Sequence, residues 1–380
     1  MKCLFVALGV RHAIGGMERF NQRLLRSMAE LASGGGFEYR SVALWDTPKL
    51  AGLEQAAYEA CSSSKPLAAV RFFRHVMLWR PDAILYGHIL LSPLALGARL
   101  LSSGSRNLLI VHGREVWREP FRRRVPLWER AAVRLGIDEI VSVSRLTMDR
   151  MREAYDLPAA MFHLLLNAVD VESAGRVPPA EVRGRGNILT VTRLGKLSHY
   201  KGCGTVIRAM PLVLRSFPEA TYHIVGEGES RPGLEALARQ MGVSGRVRFH
   251  GRLGDSELER MYQSADVFIL PSKGEGFGIV YLEAWKHGLP VIAGNQDAGA
   301  EVVTHGHNGL CVDPDSPEQI AAGLIELLSA PQRAAEMGEA GRRTVSEKYS
   351  HEAFRARLAA ILLRENTPVA AVRKWHAERA

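Results

Sequence analysis

Apolar runs of strand length alternate with amphipathic helical stretches along almost the whole chain. This alternation predicts parallel β-sheets covered by helices on both faces, because parallel strands need long crossover connections and helices usually form them. Strands are predicted in the first half at 2–9, 39–45, 83–87, 107–113, 139–144 and 162–167, and in the second half at 187–194, 221–228, 246–251, 266–272, 290–294 and 309–313. Helices are predicted at Met17–Ala32, at Leu127–Leu135, and from Ser316 onward with breaks at Pro331 and Ser350.

A segment without apolar periodicity separates the two halves. Residues 169–186 contain two prolines and several charges, so we expect a linker there. The division gives an N-terminal domain, 1–175, and a C-terminal domain, 187–355. The last segment, 356–380, is predicted to be a helical tail that packs back toward the N-terminal domain. Two doubly wound, Rossmann-like domains joined in this way would face a central cleft at the carboxyl edges of their sheets, where such folds bind ligands.

Composition excludes several classes of protein. The 380 residues are 47% apolar and 23% charged, which fits two or three globular domains and not a disordered or low-complexity chain. The four cysteines are scattered, with no CxxC pair and no His-Cys cluster. This spacing argues against a disulfide framework or a zinc site and fits a reducing compartment.

The two most apolar stretches fit neither a signal peptide nor a transmembrane helix. The N-terminal MKCLFVALGV is short and has no small-residue cleavage site, so a buried first strand explains it better. Residues 84–101 are interrupted by Gly87, His88, Pro93 and Arg99, which excludes a bilayer span. We therefore predict a cytoplasmic protein.

The net charge of +9 is concentrated in the first half. Residues 1–180 carry 24 Lys and Arg against 17 Asp and Glu, and such asymmetry indicates an anionic partner. Two stretches, 67–80 and 114–134, combine arginines with aromatic residues, namely Phe72, Phe73, Trp79, Trp117, Phe121 and Trp128. This composition suits an anionic membrane surface. The alternative is that the aromatics are core and the arginines a solvated rim. No nucleic-acid motif accompanies the charge.

The segment LPSKGEGFGIVYLEAWKHGLPVIA (270–293) combines a strand end, a glycine-rich turn and a helix. Its glycines allow a ligand close to the backbone, and the helix N-terminus offers unpaired N–H groups to an anion. Glu275 and Glu283 are separated by roughly 12 Å along a helix. A nucleoside diphosphate sugar has a matching layout, with the sugar near Glu275 and ribose near Glu283. The alternative is a helix-capping Glu275 and a solvated Glu283.

Two cations follow the first strand of the second half. Arg193 ends that strand and Lys201 precedes a glycine-containing turn into a helix. Placed at the carboxyl edge of the sheet, they would neutralise a diphosphate without any metal. The alternative is that each is an ordinary surface charge.

These segments resemble the motifs of the retaining family 4 glycosyltransferases, also described as group 1, which have the GT-B fold. EGFGIVYLE (275–283) resembles their E-x7-E motif, and TRLGKLSHYKG (192–202) their Arg-Leu and Lys-Gly phosphate clamp. HIVGEGESRPGLEALA (223–238) resembles their Gly-x-Gly turn, and 247–272 their base loop and following strand. LLLNAVDVESA (164–174) is similar to their pre-linker motif, with Ala168 in place of the usual glycine. HAIGGMER (12–19) is similar to their glycine pair after the first strand.

The resemblance implies a role for each matching residue. Arg193 and Lys201 would bind the diphosphate, and Glu283 the ribose. Glu275 would hold the transferred sugar together with backbone N–H groups, which belong to Phe277, Gly278 and Ile279. The remaining positions are Phe249 and His250 in the base loop, Gly15 and Gly16 at the β-phosphate, and His112 facing the sugar or acceptor. A structural, hydrogen-bonded His112 is the alternative. The motifs around Arg114 do not identify an acceptor base.

The resemblance also implies a reaction. It is transfer of a hexose from a UDP- or GDP-sugar to a glycan or lipid-linked glycan in polysaccharide or lipopolysaccharide synthesis. Neither metal nor cofactor is expected, and association with the inner face of the cytoplasmic membrane is left open. Two alternatives remain at this point: a nucleotide-sugar epimerase of the same fold, and a non-catalytic binding module.

Overall fold

The computed structural model describes residues 1–12, 15–47, 58–113, 125–171, 186–196 and 198–364. Within these residues the chain forms two sheets in which every pair of neighbouring strands is parallel. Helices cover both sheets. The alternation of strand and helix patterns therefore predicted the fold class correctly.

The first sheet has the strand order β3-β2-β1-β4-β5-β6-β7. Its strands are β1 (Lys2–Ala7), β2 (Glu38–Ala43), β3 (Tyr58–Ala60), β4 (Ala83–Tyr86), β5 (Arg106–Val111), β6 (Glu139–Ser142) and β7 (Phe162–Leu164). The helices are α1 (Gly16–Ser33), α2 (Lys65–Arg74), α3 (Pro93–Leu101), α4 (Leu127–Gly136) and α5 (Arg145–Tyr155). A π-helical turn, His75–Trp79, extends α2. Strand order reverses between β1 and β4, so a crevice opens there at the carboxyl edge.

The second sheet has the order β10-β9-β8-β11-β12-β13 and reverses between β8 and β11. Its strands are β8 (Asn187–Val191), β9 (Thr221–Val225), β10 (Val247–Gly251), β11 (Val267–Leu270), β12 (Val291–Gly294) and β13 (Gly309–Val312). The helices are α6 (Cys203–Ser216), α7 (Arg231–Gln240), α8 (Asp255–Ser264), α9 (Ile279–Lys286), α10 (Gly299–Val302), α11 (Pro317–Ser329), α12 (Pro331–Lys348) and α13 (His351–Leu363).

Every predicted strand is present, but several end earlier than expected. The run 187–194 is a strand only to Val191, because the next residues leave the ladder for a loop in which Leu194 is still buried. Apolar periodicity continues through such a loop and hides the strand end. The three-residue edge strand β3 has no apolar run and was not predicted.

Successive residues of β1 face two different cores. Leu4 and Val6 pack with Phe72 of α2 and residues of the other helices that follow β3, while Phe5 packs with Phe20 of α1. This two-sided burial is what the pleat of a strand imposes on a continuous apolar run.

Helix α13 returns to the N-terminal domain and packs on α1. The rings of Phe354 and Phe20 meet edge to face with centroids 5.4 Å apart. His351 Nε2 and Arg355 Nη1 each lie 2.9 Å from a carboxylate oxygen of Glu30. The returning segment begins at His351, since Ser350 caps the helix, and not at the predicted residue 356. Residues 365–380 and most of the predicted linker lie outside the described residues.

The aromatic residues of the predicted basic stretches differ in burial. Phe72 is fully buried, and Trp79 is buried beneath the guanidinium of Arg40, 4.7 Å from its ring centroid. Trp128 is exposed. Trp117, Phe121 and Arg114 lie outside the described residues. Among the described residues, no helix is both long enough and apolar enough to cross a bilayer.

Candidate active site

The turn between β11 and α9 can be built only with glycine at two of its positions. Gly278 has φ of 90°, in the left-handed region, and a Cβ there would lie 2.3 Å from the Tyr281 ring. A Cβ at Gly276 would lie 1.9 Å from the His112 carbonyl oxygen at the end of β5. The turn therefore touches the N-terminal domain directly and presents the N-terminus of α9 at the contact.

Lys201 and Glu275 form an ion pair in which each side chain is only 15% exposed. Lys201 ends a 3₁₀ turn, Ser198–Lys201, after β8, whereas Glu275 lies after β11. Burial by itself lowers the pKa of Lys201, but the Glu275 carboxylate and Tyr200 outweigh it, so the net pKa is raised. The ammonium also lies 4.9 Å from the Tyr200 ring centroid. A positive charge is thus held beside the carboxylate predicted to meet the sugar.

Asp297, a residue that the sequence did not single out, holds this turn in place. Its carboxylate accepts hydrogen bonds from the Glu275 and Gly299 N–H groups, both at 2.8 Å. The side chain is buried. Burial, and secondarily the Glu275 charge, raises the pKa of Asp297 to about 7.

Glu283, on α9, is 13% exposed and pairs with Arg19 from α1 of the other domain. Its second oxygen accepts a hydrogen bond from the Tyr262 hydroxyl at 3.0 Å. Neither Arg19 nor Tyr262 was predicted as a site residue. The only sequence signal for Arg19 is its place directly after the glycine pair, in HAIGGMER.

A cavity of about 470 Å³ lies between α1 of the first domain and α8 and α9 of the second. Its walls include Arg19, Arg23, Leu258, Tyr262, Ile279, Glu283 and Lys286. Phe249 and His250 do not line it. Phe249 lies under the Arg231 guanidinium, 5.7 Å from ring centroid to carbon, and His250 Nε2 shares a hydrogen bond with His223 Nδ1 at 2.9 Å.

Arg193 reaches across the cleft to the glycine pair. A Cβ at Gly15 would lie 2.9 Å from Arg193 Nη2 and 2.6 Å from Glu18 Oε2, so both charged side chains come close to the Gly15 backbone. Gly15 is the N-cap of α1 and Gly16 its first residue. The guanidinium and the N-terminus of α1 therefore converge on one point between the domains, an arrangement suited to an anion.

His112 follows β5 and lies at the domain interface. Its Nε2 donates to the Gly87 carbonyl at 3.2 Å, and its ring meets Phe20 edge to face with centroids 5.0 Å apart. His112 thus makes a structural hydrogen bond and also borders the turn that carries Glu275; its predicted role at the sugar or acceptor stays a prediction. Phe277 is buried and contacts the Tyr349 ring, so its contribution to the cleft is its backbone.

Comparison with known proteins identifies the family. A model described as glycosyl transferases group 1 matches residues 184–344, and one described as glycosyltransferase family 4 matches residues 14–173. The chain is 36% identical over 288 residues to the GDP-mannose-dependent alpha-(1-6)-phosphatidylinositol monomannoside mannosyltransferase of Mycobacterium tuberculosis, covering 71% of this chain and 73% of that protein. The chain is a family 4 glycosyltransferase.

A second relative and a solved structure extend the comparison. The glycosyltransferase is 33% identical over 293 residues to the GDP-mannose-dependent monoacylated alpha-(1-6)-phosphatidylinositol monomannoside mannosyltransferase of Corynebacterium glutamicum, covering 72% of this chain and 74% of the relative. It superposes on Anabaena HepE in complex with UDP with a TM-score of 0.79 and 18% identity, covering 96% and 100% of the two chains. The two sheets therefore belong to a GT-B fold.

Proposed function

We propose that this glycosyltransferase moves a hexose from a GDP- or UDP-sugar to a lipid-linked glycan, with retention of configuration and without a metal. The observation that carries the proposal is the largely buried pair of Lys201 and Glu275 at the turn that leads into α9. It joins a cation for the diphosphate to a carboxylate for the sugar. Glu283, about one turn into α9, borders the cavity that would accept the nucleoside.

The reaction breaks the bond between the anomeric carbon and the diphosphate oxygen and forms a bond from that carbon to an acceptor hydroxyl oxygen. Negative charge grows on the departing diphosphate, so groups that stabilise it lower the barrier. Lys201, Arg193 and the N–H groups that begin α9 are suited to this task. In front-side attack, the departing phosphate takes the acceptor's proton, and no protein carboxylate need form a covalent intermediate.

The curated relatives favour GDP-mannose as the first donor to test, because both are named as GDP-mannose-dependent. The matched donor should raise the melting temperature of the purified protein, since binding to the folded state alone stabilises it. GDP-mannose, UDP-glucose and ADP-glucose are to be compared. Release of nucleotide diphosphate in the presence of acceptor and chelator separates metal-independent transfer from epimerisation, which releases none. A protein that none of these donors stabilises would contradict the proposal.

Glu275→Gln should abolish transfer while the nucleotide diphosphate still binds within about threefold of wild type. The amide cannot supply the charge that holds Lys201 and meets the sugar hydroxyls. Steady-state release of nucleotide diphosphate and calorimetric binding measure the two effects separately. Glu326→Gln, which alters an exposed pair with Arg333, is the matched control. Unchanged turnover in the Glu275 variant would remove this carboxylate from the mechanism.

We also propose that the enzyme works in the cytoplasm at the inner face of the cytoplasmic membrane. The acceptors named for the two relatives are phosphatidylinositol mannosides, which are membrane lipids. A lipid-linked acceptor would require the cleft to lie close to a bilayer surface, and a peripheral mode of association would meet that requirement.

A further inference from the structure

Exposed apolar side chains are distributed very unevenly over the described residues. Twelve large hydrophobic side chains are exposed, and ten of them lie between Leu67 and Leu135. In the C-terminal domain and α13, Leu363 is the one such side chain among the described residues. Single exposed leucines are normal, but a concentration of them on one region marks an interaction surface.

Nine of the ten lie on three helices that cover the same face of the first sheet. These are α2 with its π-helical turn, α3 and α4. We name the six that are more than half exposed the apolar ridge: Val70, Leu78, Leu100, Leu127, Trp128 and Leu135. Leu100, Leu127 and Leu78 are 88%, 83% and 78% exposed. Side chains exposed to this degree contribute almost nothing to the core beneath them.

The three helices form a continuous layer. A Cβ at Gly97 of α3 would lie 2.7 Å from the Phe73 ring of α2, and one at Gly136 of α4 would lie 3.0 Å from Ala95 of α3. Arg99 of α3 also donates to the Gly136 carbonyl at 3.4 Å. Because glycine permits these close approaches, the ridge residues stand on the outer side of one packed surface.

We propose that the apolar ridge inserts into the interface of an anionic lipid bilayer. This proposal rests on the proposed function, because a lipid-linked acceptor would place the enzyme at a membrane. Charge on the same helices favours a membrane over an apolar protein partner. They carry six basic residues, Lys65, Arg71, Arg74, Arg99, Arg130 and Arg134, and one acidic residue, the buried Glu129.

Basic side chains remain in excess after the ion-pair partners of these arginines are counted. Arg71 and Arg74 pair with Glu59, Arg99 with Asp138, and Arg134 with Asp156. With these three carboxylates and Glu129 counted, basic side chains still outnumber acidic ones by six to four. Apolar side chains flanked by cations are the combination that binds anionic lipid headgroups.

Trp128 and Leu127 begin α4, the helix that connects β5 to β6. The carboxyl end of β5 carries His112 at the cleft. Tryptophan prefers the level of the lipid headgroups, so contact at the start of α4 would hold the cleft beside the membrane surface. Of the aromatics in the basic stretches, Phe72 and Trp79 take no part, because both are core residues.

The test is flotation of the full-length protein with vesicles of phosphatidylcholine alone and of phosphatidylcholine containing about one third phosphatidylglycerol. We expect binding to the anionic vesicles at low salt, weakened but still present in about 0.5 M NaCl, since insertion is not screened. The triple variant Leu78→Ser, Leu100→Ser, Leu127→Ser should lower the partition coefficient by about tenfold or more. Leu363→Ser, on the other face of the domain, should not change it.

Several results would overturn the proposal. They are no flotation of the wild type, an equal loss in the Leu363 variant, and ridge-dependent self-association by light scattering without vesicle binding. The last would assign the ridge to a second protein chain. Thermal unfolding checks that the triple variant folds, and Leu100→Ser alone serves if it does not. Donor-induced stabilisation in the same samples keeps a failure of donor binding distinct from a failure of membrane binding.

Discussion

At the scale of single residues, Lys201 holds its charge because Glu275 lies beside it. The carboxylate and Tyr200 keep the pKa of the ammonium above its ordinary value despite burial. A fixed positive charge in a largely buried site stabilises the growing negative charge on phosphate more strongly than the same charge in water. The same ammonium also contacts Glu275, the carboxylate predicted to meet the sugar.

Lys201→Ala should weaken donor binding and slow transfer together. The fall in kcat/KM should be roughly 10²- to 10³-fold, as for loss of one transition-state donor. Lys273→Ala is the matched control, since Lys273 lies in the turn that carries Glu275 but forms an exposed pair with Asp315. Wild-type kinetics for the Lys201 variant, or equal losses in both, would exclude the assigned role.

Asp297 gives the site a dependence on pH with a definite sign. Its pKa is about 7 in the folded protein against 3.8 ordinarily, so the folded state binds the proton more tightly than the unfolded state. The stabilisation from this group is therefore complete below about pH 4 and is lost as the pH rises through about 7. The charges that face Asp297 are Glu275, Lys201 and, from α5, Arg150.

Asp297→Asn should remove that dependence. Asparagine cannot ionise, and its single oxygen can satisfy both N–H groups only poorly, so the variant should lose about 1–3 kcal/mol at low pH. The deficit relative to wild type should shrink between about pH 5 and pH 7. Urea unfolding across this range measures it, with Asp156→Asn as an exposed control. A deficit that is constant with pH would refute the raised pKa of Asp297.

At the scale of elements, a carboxylate of one domain caps a helix of the other. Glu301, on α10, accepts from the backbone N–H groups of Arg145 and Leu146 at 2.9 and 2.5 Å. These are the first residues of α5, where the helix dipole favours negative charge. Thr147 of the same helix donates to the Gly276 carbonyl at 3.4 Å. The contact therefore joins α5 to the loops that carry Asp297 and Glu275.

Glu301→Ala should lower the free energy of unfolding by about 1–2 kcal/mol, the usual cost of a lost cap. Hydrogen exchange of the Arg145 and Leu146 amides should become faster. Glu318→Ala is the control, because Glu318 lies in the first turn of α11 and accepts a hydrogen bond from Ser316 of its own domain. Unchanged exchange at the two amides would show that this contact does not hold the domains together.

At the scale of the whole molecule, the last described helix is a further tie between the two domains. Arg106, at the start of β5, donates to the Ile361 and Leu362 carbonyls at 3.0 and 2.8 Å. It also forms a two-pronged bond with Glu139, 2.8 Å on each side. Burial raises the pKa of Glu139, but hydrogen bonds from His163 and Arg106 outweigh it and lower the pKa to about 2.

Arg106→Ala should release the end of α13 and cost about 3 kcal/mol, because it leaves the half-buried Glu139 with less compensation. Ionised Glu139 stabilises the folded state above its ordinary pKa, and this stabilisation disappears as the pH falls toward 2. The destabilisation caused by Arg106→Ala should therefore be smaller in acid. Hydrogen exchange over 351–363 and urea unfolding measure the effects. Arg246→Ala, in an exposed pair with Glu219, is the control. Unaltered protection of α13 would contradict this account.

The sequence by itself determined the elements and the main donor motifs. Apolar periodicity located the strands, and Pro331 and Ser350 marked the starts of α12 and α13, because such signals act within a few residues. The expected helical spacing of Glu275 and Glu283 applies only from Ile279 onward, because Glu275 lies in the turn before α9. Ends of strands were placed less well, since a loop residue such as Leu194 can be as apolar as a strand residue.

Only the tertiary structure decided which distant residues meet. Lys201 and Glu275 lie 74 positions apart and Arg19 and Glu283 lie 264 apart, and they meet because strand order places β8 beside β11 and the cleft places α1 beside α9. The tertiary structure likewise decides burial, since Phe72 is a core residue and Leu100 is exposed. Apolar periodicity indicates which face of a helix or strand is apolar, but packing over the whole chain determines which partner covers that face.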